Sequence, residues 1–223
     1  MYKLSELEPL INSIVPFKAY DIYLFRLLCK YLQEHITESQ QIVKKILKKL
    51  PSRTSKPDSY VPTTQEILST LKNLSIVQKY TYYLALSTGL RKCECKYLIE
   101  NYKSLKVQKQ HDFCKIYLQL YRGNKNSYIT FIPIDMHAHI VEGNLCSVSS
   151  LDAFLKRQGL IPLKYARKWF FTQCLSLGVP ESIIDYLQGR SSATIGSRHY
   201  LGKEVLAEKE YREKILRFVN KLN

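Results

Sequence analysis

The chain has 223 residues, enough for one well-packed domain with a smaller helical partner and no need of disulfide or metal staples. Its 34 Lys and Arg against 19 Asp and Glu give a net charge of +15, an excess that counterion release turns into affinity for a polyanion. No apolar run approaches the roughly 20 residues that span a bilayer, the amino terminus lacks the apolar core of a signal peptide, and six cysteines without a dense framework suit a reducing compartment, so a cytoplasmic protein is expected.

Residues 4–50 read as a small helical unit: Leu24, Leu27, Leu28 and Leu32 recur at helical spacing, as do Ile42, Ile46 and Leu50. The stretch 51–62, PSRTSKPDSYVP, lacks apolar periodicity and reads as a linker. A larger domain follows over 63–223. Residues 1–61 hold 10 basic and 6 acidic side chains and the remainder 24 and 13, so the larger domain is the more basic. It opens with Thr63-Thr64-Gln65-Glu66, a capping box that starts a helix near Thr64. A second helix from about Ile76 is interrupted by Thr88-Gly89, leaving Arg91 at a helix-to-turn junction. The segments KIYLQLY (115–121) and SYITFIP (127–133) alternate in period 2 around Arg122-Gly123-Asn124-Lys125-Asn126, which predicts a hairpin with a basic tip. Helices resume at 150–158 and 163–177, and another starts at Pro180-Glu181 and ends at Gly189. The segment 204–222 reads as one long amphipathic helix, with Val205, Leu206, Ile215, Leu216 and Val219 as its apolar positions. The fold class is therefore mainly α with a small antiparallel β-hairpin or three-stranded sheet, an α+β domain preceded by a short helical unit.

Three segments carry candidate chemistry. In Thr88-Gly89-Leu90-Arg91-Lys92-Cys93-Glu94, Glu94 lies one helical turn after Arg91 and can orient its guanidinium, although an arginine after a helix cap is by itself an ordinary surface cation. Lys164 and Arg167, three residues apart on one helical face, can meet one phosphate; read alone, they are a solvated basic face sooner than a site. The third segment is Gln188-Gly189-Arg190-Ser191-Ser192, followed by Arg198-His199-Tyr200-Leu201. Among 17 tyrosines Tyr200 is no signal until its flanks are considered. His137 and His139 form an HxH pair with no further ligand at metal spacing, and Cys93 and Cys95 are too close for a zinc knuckle, so an exposed strand-end pair and no metal site are expected. Trp169 is read as core.

In order, TGLRxxE, a hairpin lysine, a basic-xx-Arg helix, Gly-Arg-Ser-Ser and a tyrosine about ten residues on resemble the catalytic domain of tyrosine recombinases over roughly residues 63–202. Lys164 where histidine is usual, QGR at 188–190 and HYL at 199–201 resemble the integrases of archaeal viruses and plasmids, such as the fusellovirus type. The resemblance implies a tyrosine recombinase catalytic domain with a core-binding-like unit before it, closing as a C-shaped clamp on double-stranded DNA attachment sites. Lysines such as Lys44, Lys45, Lys48 and Lys49 would hold the backbone, unless they only form a solvated face. Arg91 and Arg167 match the phosphate clamp, a planar bidentate task for guanidinium. Lys125 matches the lysine that protonates the leaving 5′ oxygen, with Arg122 its nearest competitor but the poorer proton donor. Lys164 takes the place of the usual histidine and Arg190 that of a histidine or tryptophan, each as a phosphate contact. Tyr200 matches the nucleophile, and His199 is a candidate to position or deprotonate it. The resemblance further implies a homotetramer on synapsed DNA, through a carboxy-terminal tail that docks on the next protomer, with no cofactor. Two alternatives stay open: a non-catalytic DNA-binding homologue or truncated remnant, and a type IB topoisomerase-like enzyme of the same chemistry.

Overall fold

The computed structural model of the chain describes residues 19–35, 43–44, 47–48, 58–121, 126–190 and 202–222. Two compact units divide between Ser59 and Tyr60. In the first, α1 (Ala19–His35) buries Cys29 together with Val43, with Phe25, Leu32 and Leu47 packed beside them. Leu24, Leu27 and Leu28 on the same helix are about half exposed, and so are open to solvent rather than core. Lys44 and Lys48 are exposed, while Lys45 and Lys49 lie outside the described residues. No described helix is long and apolar enough to cross a membrane.

The second unit begins as its sequence predicts. In α2 (Thr64–Lys72) the Thr63 hydroxyl accepts from the Glu66 N–H at 3.2 Å while Glu66 accepts from the Thr63 N–H at 2.7 Å, the reciprocal bonds of a capping box. The next helix, α3 (Ile76–Thr88), is buried along its whole second half from Thr81 to Thr88 and forms the axis of the core. A turn leads into α4 (Lys92–Asn101) and a 3₁₀ turn at Tyr102–Ser104. Then comes an antiparallel sheet in the order β1 (Lys106–Lys109), β2 (Phe113–Leu120), β3 (Ser127–Pro133). The β2–β3 register pairs Phe113 with Pro133 and Tyr117 with Ile129, and a bulge separates Tyr117 from Leu120, where Gln119 takes φ +50. Strand β2 buries both of its faces. Cys114, Ile116 and Leu118 alternate with Phe113 and Lys115, all at most 7% exposed, and the second set lies under the carboxy-terminal helix.

Helix α5 (Ile134–Glu142) follows β3 without a gap, and it corrects one expectation. His137 and His139 sit on this helix, half-buried, and are not an exposed strand-end pair. The Tyr102 hydroxyl lies 2.6 Å from His137 Nδ1, and the His139 ring stacks on Tyr80 at 3.6 Å. Met136 and Ile140, four apart, are buried on one face, and that helical period overrides the β-branched run before it. Pro133 before the first turn and Gly143 after the last were the legible signals.

Helices α6 (Val148–Arg157), α7 (Leu163–Ser176) and α8 (Glu181–Leu187) complete the wall around α3. Trp169 is fully buried, as expected, and packs at 5.2 Å from Phe218. The last segment is a second correction. It is not one regular helix but α9 (Gly202–Glu210), a π turn at Tyr211–Ile215, α10 (Leu216–Val219) and a 3₁₀ turn at Asn220–Leu222. The wider turn lets Tyr211 stack on Phe131 at 5.0 Å while the consecutive Ile215 and Leu216 both reach the core. Val219 is buried too, whereas Val205 and Leu206 are 71% and 51% exposed.

Candidate active site

Two turns and one helix of the second unit meet at one place, and each delivers a residue singled out from sequence. The first is the junction of α3 and α4. Gly89 caps α3 at φ +61, its N–H bonded to Ala85 O at 3.1 Å, in a conformation that a side chain would strain. Leu90, 2% exposed, pins the turn in the core, so Arg91 emerges at the first position before α4. Glu94, three residues on, accepts from the Arg91 N–H at 2.8 Å and from its Nη1 at 2.7 Å. The expected pairing of Arg91 with Glu94 is present, and its carboxylate is almost completely buried.

The second turn ends α8. Arg91 Nη1 and Nη2 donate to Gln188 O at 3.3 Å and Gly189 O at 3.2 Å, so a cation closes the carbonyl end of that helix. Gly189 takes φ +60, and a Cβ there would lie 2.6 Å from Asn126 O. Only glycine lets the base of the β2–β3 hairpin approach this closely.

The third is the first half of α7. Leu163, Ala166, Trp169, Phe170 and Cys174 bury one face, and Arg167 leaves its edge to donate from Nη1 to Gly89 O at 3.0 Å. The same Nη1 is 4.0 Å from Glu94 Oε2. Burial, and next the charge of Arg91, draw the Arg167 guanidinium down to about 10, with Glu94 opposing and Arg190 adding to the effect. Two guanidiniums therefore share one buried carboxylate, and the surplus positive charge has lost much of its water. Such an arrangement favours an anion whose oxygens can accept from planar donors.

Arg190 stands next to this pair. Its guanidinium lies 4.5 Å over the Phe171 ring, and its Nη1 is 3.4 Å from Asp185 Oδ1. Lys164 is exposed on the first turn of α7 with its ammonium 4.3 Å over the Tyr165 ring, one helical turn before Arg167. The structure thus brings Arg91, Glu94, Arg167 and Arg190 together. Arg122, Lys125, His199 and Tyr200 lie outside the described residues.

Some of the supporting side chains escaped the sequence reading. Lys115 on β2, 7% exposed, pairs with Glu204 at 2.5 Å and Glu208 at 3.2 Å of α9, and Glu204 also accepts from the Tyr117 hydroxyl at 3.1 Å. Burial opposes the Lys115 charge, but the bonds from the two carboxylates outweigh it and raise its pKa, and the same bond holds Glu204 below the usual carboxylate range. A lysine inside a period-2 apolar run was the available signal. Lys92, beside Arg91, bonds the buried Asp152 at 3.1 Å, which Lys156 meets at 2.8 Å. Among the described residues no group of His, Cys, Asp and Glu could hold a metal ion.

A sequence model of archaeal phage integrases matches residues 59–217, which takes in every element of the second unit up to the first turn of α10. No curated protein matches the chain. The match covers the Arg91, Arg167 and Arg190 segments together with Tyr200, and the chain belongs to the archaeal phage integrase family.

Proposed function

We propose that the protein is a site-specific DNA recombinase that cleaves and rejoins double-stranded DNA through a 3′-phosphotyrosyl bond to Tyr200. The observation that carries this reading is the convergence of Arg91 and Arg167 on the buried Glu94, a rigid pair of planar donors with surplus positive charge. In this reading the Tyr200 oxygen attacks the scissile phosphorus as its own proton leaves. The bond from phosphorus to the 5′ oxygen breaks, and Lys125 protonates that oxygen, with Arg122 the weaker candidate. Arg91, Arg167 and Arg190 offset the charge that develops on the non-bridging oxygens. His199 is the candidate proton acceptor for Tyr200, and Lys164 is kept as a phosphate contact, since a lysine takes a proton only as the neutral amine.

The freed 5′ hydroxyl of a partner strand reverses the reaction on the phosphotyrosyl bond, so bond energy is retained and no cofactor enters the cycle. Packing of Asn126 against Gly189 supports a role for the hairpin tip, since Asn126 follows Lys125 directly in the chain. The partners in this proposal are two DNA attachment sites held by four copies of the chain, and the setting is the cytoplasm of a prokaryotic or virus-host cell.

The test is a nicked suicide duplex that carries the attachment site. Wild type is expected to leave an adduct that survives denaturation, and Tyr200→Phe to leave none. No adduct from wild type, or an undiminished one from Tyr200→Phe, overturns the proposal. DNA binding without adduct would identify a non-catalytic homologue, and supercoil relaxation without strand exchange a topoisomerase.

A further inference from the structure

Gln188 is among the most enclosed polar residues described, fully buried at 0% exposure, and from the turn that ends α8 it meets both the Gly89 turn and α7. Its Nε2 donates to Arg167 O at 2.8 Å. The same nitrogen would meet a Cβ on Gly89 at 2.8 Å, so the amide lies against the turn whose carbonyl receives Arg167 Nη1. Its own backbone carbonyl accepts from Arg91 Nη1 at 3.3 Å. One residue therefore joins the segment of Arg91, the helix of Arg167 and the carbonyl end of α8.

Among the described residues the hydrogen bonding of this amide returns little net stability. Its Oε1 is buried and has no hydrogen-bond partner among the described residues. An orphaned buried oxygen costs about 1–3 kcal/mol, at least as much as the about 0.5–1.5 kcal/mol that a single neutral bond returns. An unbranched apolar side chain would fill the space beside Phe170 and Gly89 without that cost. What such a side chain cannot do is bind Arg167 O and so fix the rotation of α7 relative to the Gly89 turn.

We infer that Gln188 is a positioning residue. It sets the spacing of the Arg91 and Arg167 guanidiniums on the scissile phosphate by tying α7 to the turns that carry Gly89 and Gly189. It touches neither DNA nor the reacting atoms, and it acts through the two arginines. The inference rests on the DNA-cleaving reading above.

Gln188→Met tests it, on two suicide duplexes that differ only at the scissile position, one a phosphodiester and the other an uncharged methylphosphonate. Misplacing a clamp by a fraction of an ångström to 1 Å is worth up to about 10²-fold in rate. The expected result is a melting temperature equal to or above that of wild type and adduct formation on the phosphodiester slowed by about 10–100-fold. On the methylphosphonate, which develops less charge for the arginines to offset, the variant should stay within about 3-fold of wild type. Equal slowing on both substrates, or no slowing on either, overturns the inference. Should Gln188→Met melt well below wild type, Gln188→Leu repeats the comparison, and a melting loss shared by both variants overturns the claim that the amide does not serve stability. Failure of wild type on both duplexes would instead overturn the cleavage reading, so the two failures are distinguishable.

Discussion

Glu94→Gln isolates the electrostatics of the arginine pair. The carboxylate, 1% exposed, binds the Arg91 N–H at 2.8 Å and its Nη1 at 2.7 Å and stands 4.0 Å from Arg167. The amide is nearly the same size but neutral, and its single oxygen can accept for only part of what two carboxylate oxygens accept. Removing one partner of a fully buried ion pair costs about 3–5 kcal/mol. The Arg91 side chain keeps 24% of its exposure and Arg167 13%, so partial solvation lowers the cost to about 2–3 kcal/mol. The unit from Tyr60 to Asn223 has an unfolding entropy of about 0.34 kcal/mol/K at 2.1 cal/mol/K per residue, which converts that cost into a melting temperature lower by about 6–9 °C. The sign of the surplus charge makes the prediction sharper. Sulfate, which can occupy the site that Glu94 no longer neutralises, should restore more of the melting temperature in the variant than it adds to wild type. Thermal unfolding in chloride and in sulfate at equal ionic strength measures both effects. A loss below about 2 °C, or sulfate acting equally on the two proteins, would refute the view that Glu94 holds an anion site in balance.

Further outcomes follow from the same geometry. Arg167→Lys should reduce adduct formation by about 10²-fold or more with little change in DNA affinity, because an ammonium cannot hold Gly89 O and present a planar fork to phosphate together; single-turnover cleavage beside a binding titration checks it. Lys115→Met should leave Glu204 and Glu208 without their buried partner and speed hydrogen exchange along Gly202–Glu210, while exchange in α3 stays slow. Because Lys115 holds the Glu204 carboxylate below its ordinary 4.5, its contribution is present above that value and is lost as pH falls through the lowered one. Wild type should therefore lose more melting temperature than Glu204→Gln on going from neutral pH to below about pH 4. Gly89→Ala must strain φ +61 and place a methyl 2.4 Å from Phe170, so urea unfolding should show a loss of about 2–4 kcal/mol. The same change at Gly178, also at positive φ but with open space around it, should cost about 1 kcal/mol.

Much of the fold was legible because its signals are local. The Thr63–Glu66 box, the glycine that ends α3 and the β-branched and aromatic runs of 115–121 and 127–133 each depend on neighbours within a few residues, and the cap, the turn and the two strands appear near where the sequence puts them, although both strands are buried on both faces rather than alternately. Helix α5 carries local signals in Pro133 and Gly143, but the β-branched run before it hides them, and the π turn at Tyr211–Ile215 has no local signal because it is decided by what lies across the core. Tyr80 and Tyr102 receive the two histidines, and Phe131 receives Tyr211. The site divides the same way. The order of Arg91, Glu94, Lys164, Arg167 and Arg190 along the chain carried the resemblance, since motif spacing is a property of the chain. No spacing could show that Arg91 closes the carbonyl end of a helix 97 residues away, that Gln188 binds Arg167 from 21 residues on, or that Lys115 meets Glu208 at a separation of 93. Those partners are chosen by packing, where a buried donor or charge must find its mate from whatever element the core brings against it. The sequence by itself determined which residues carry the charge; the tertiary structure decided how a single carboxylate and a single amide hold them in register.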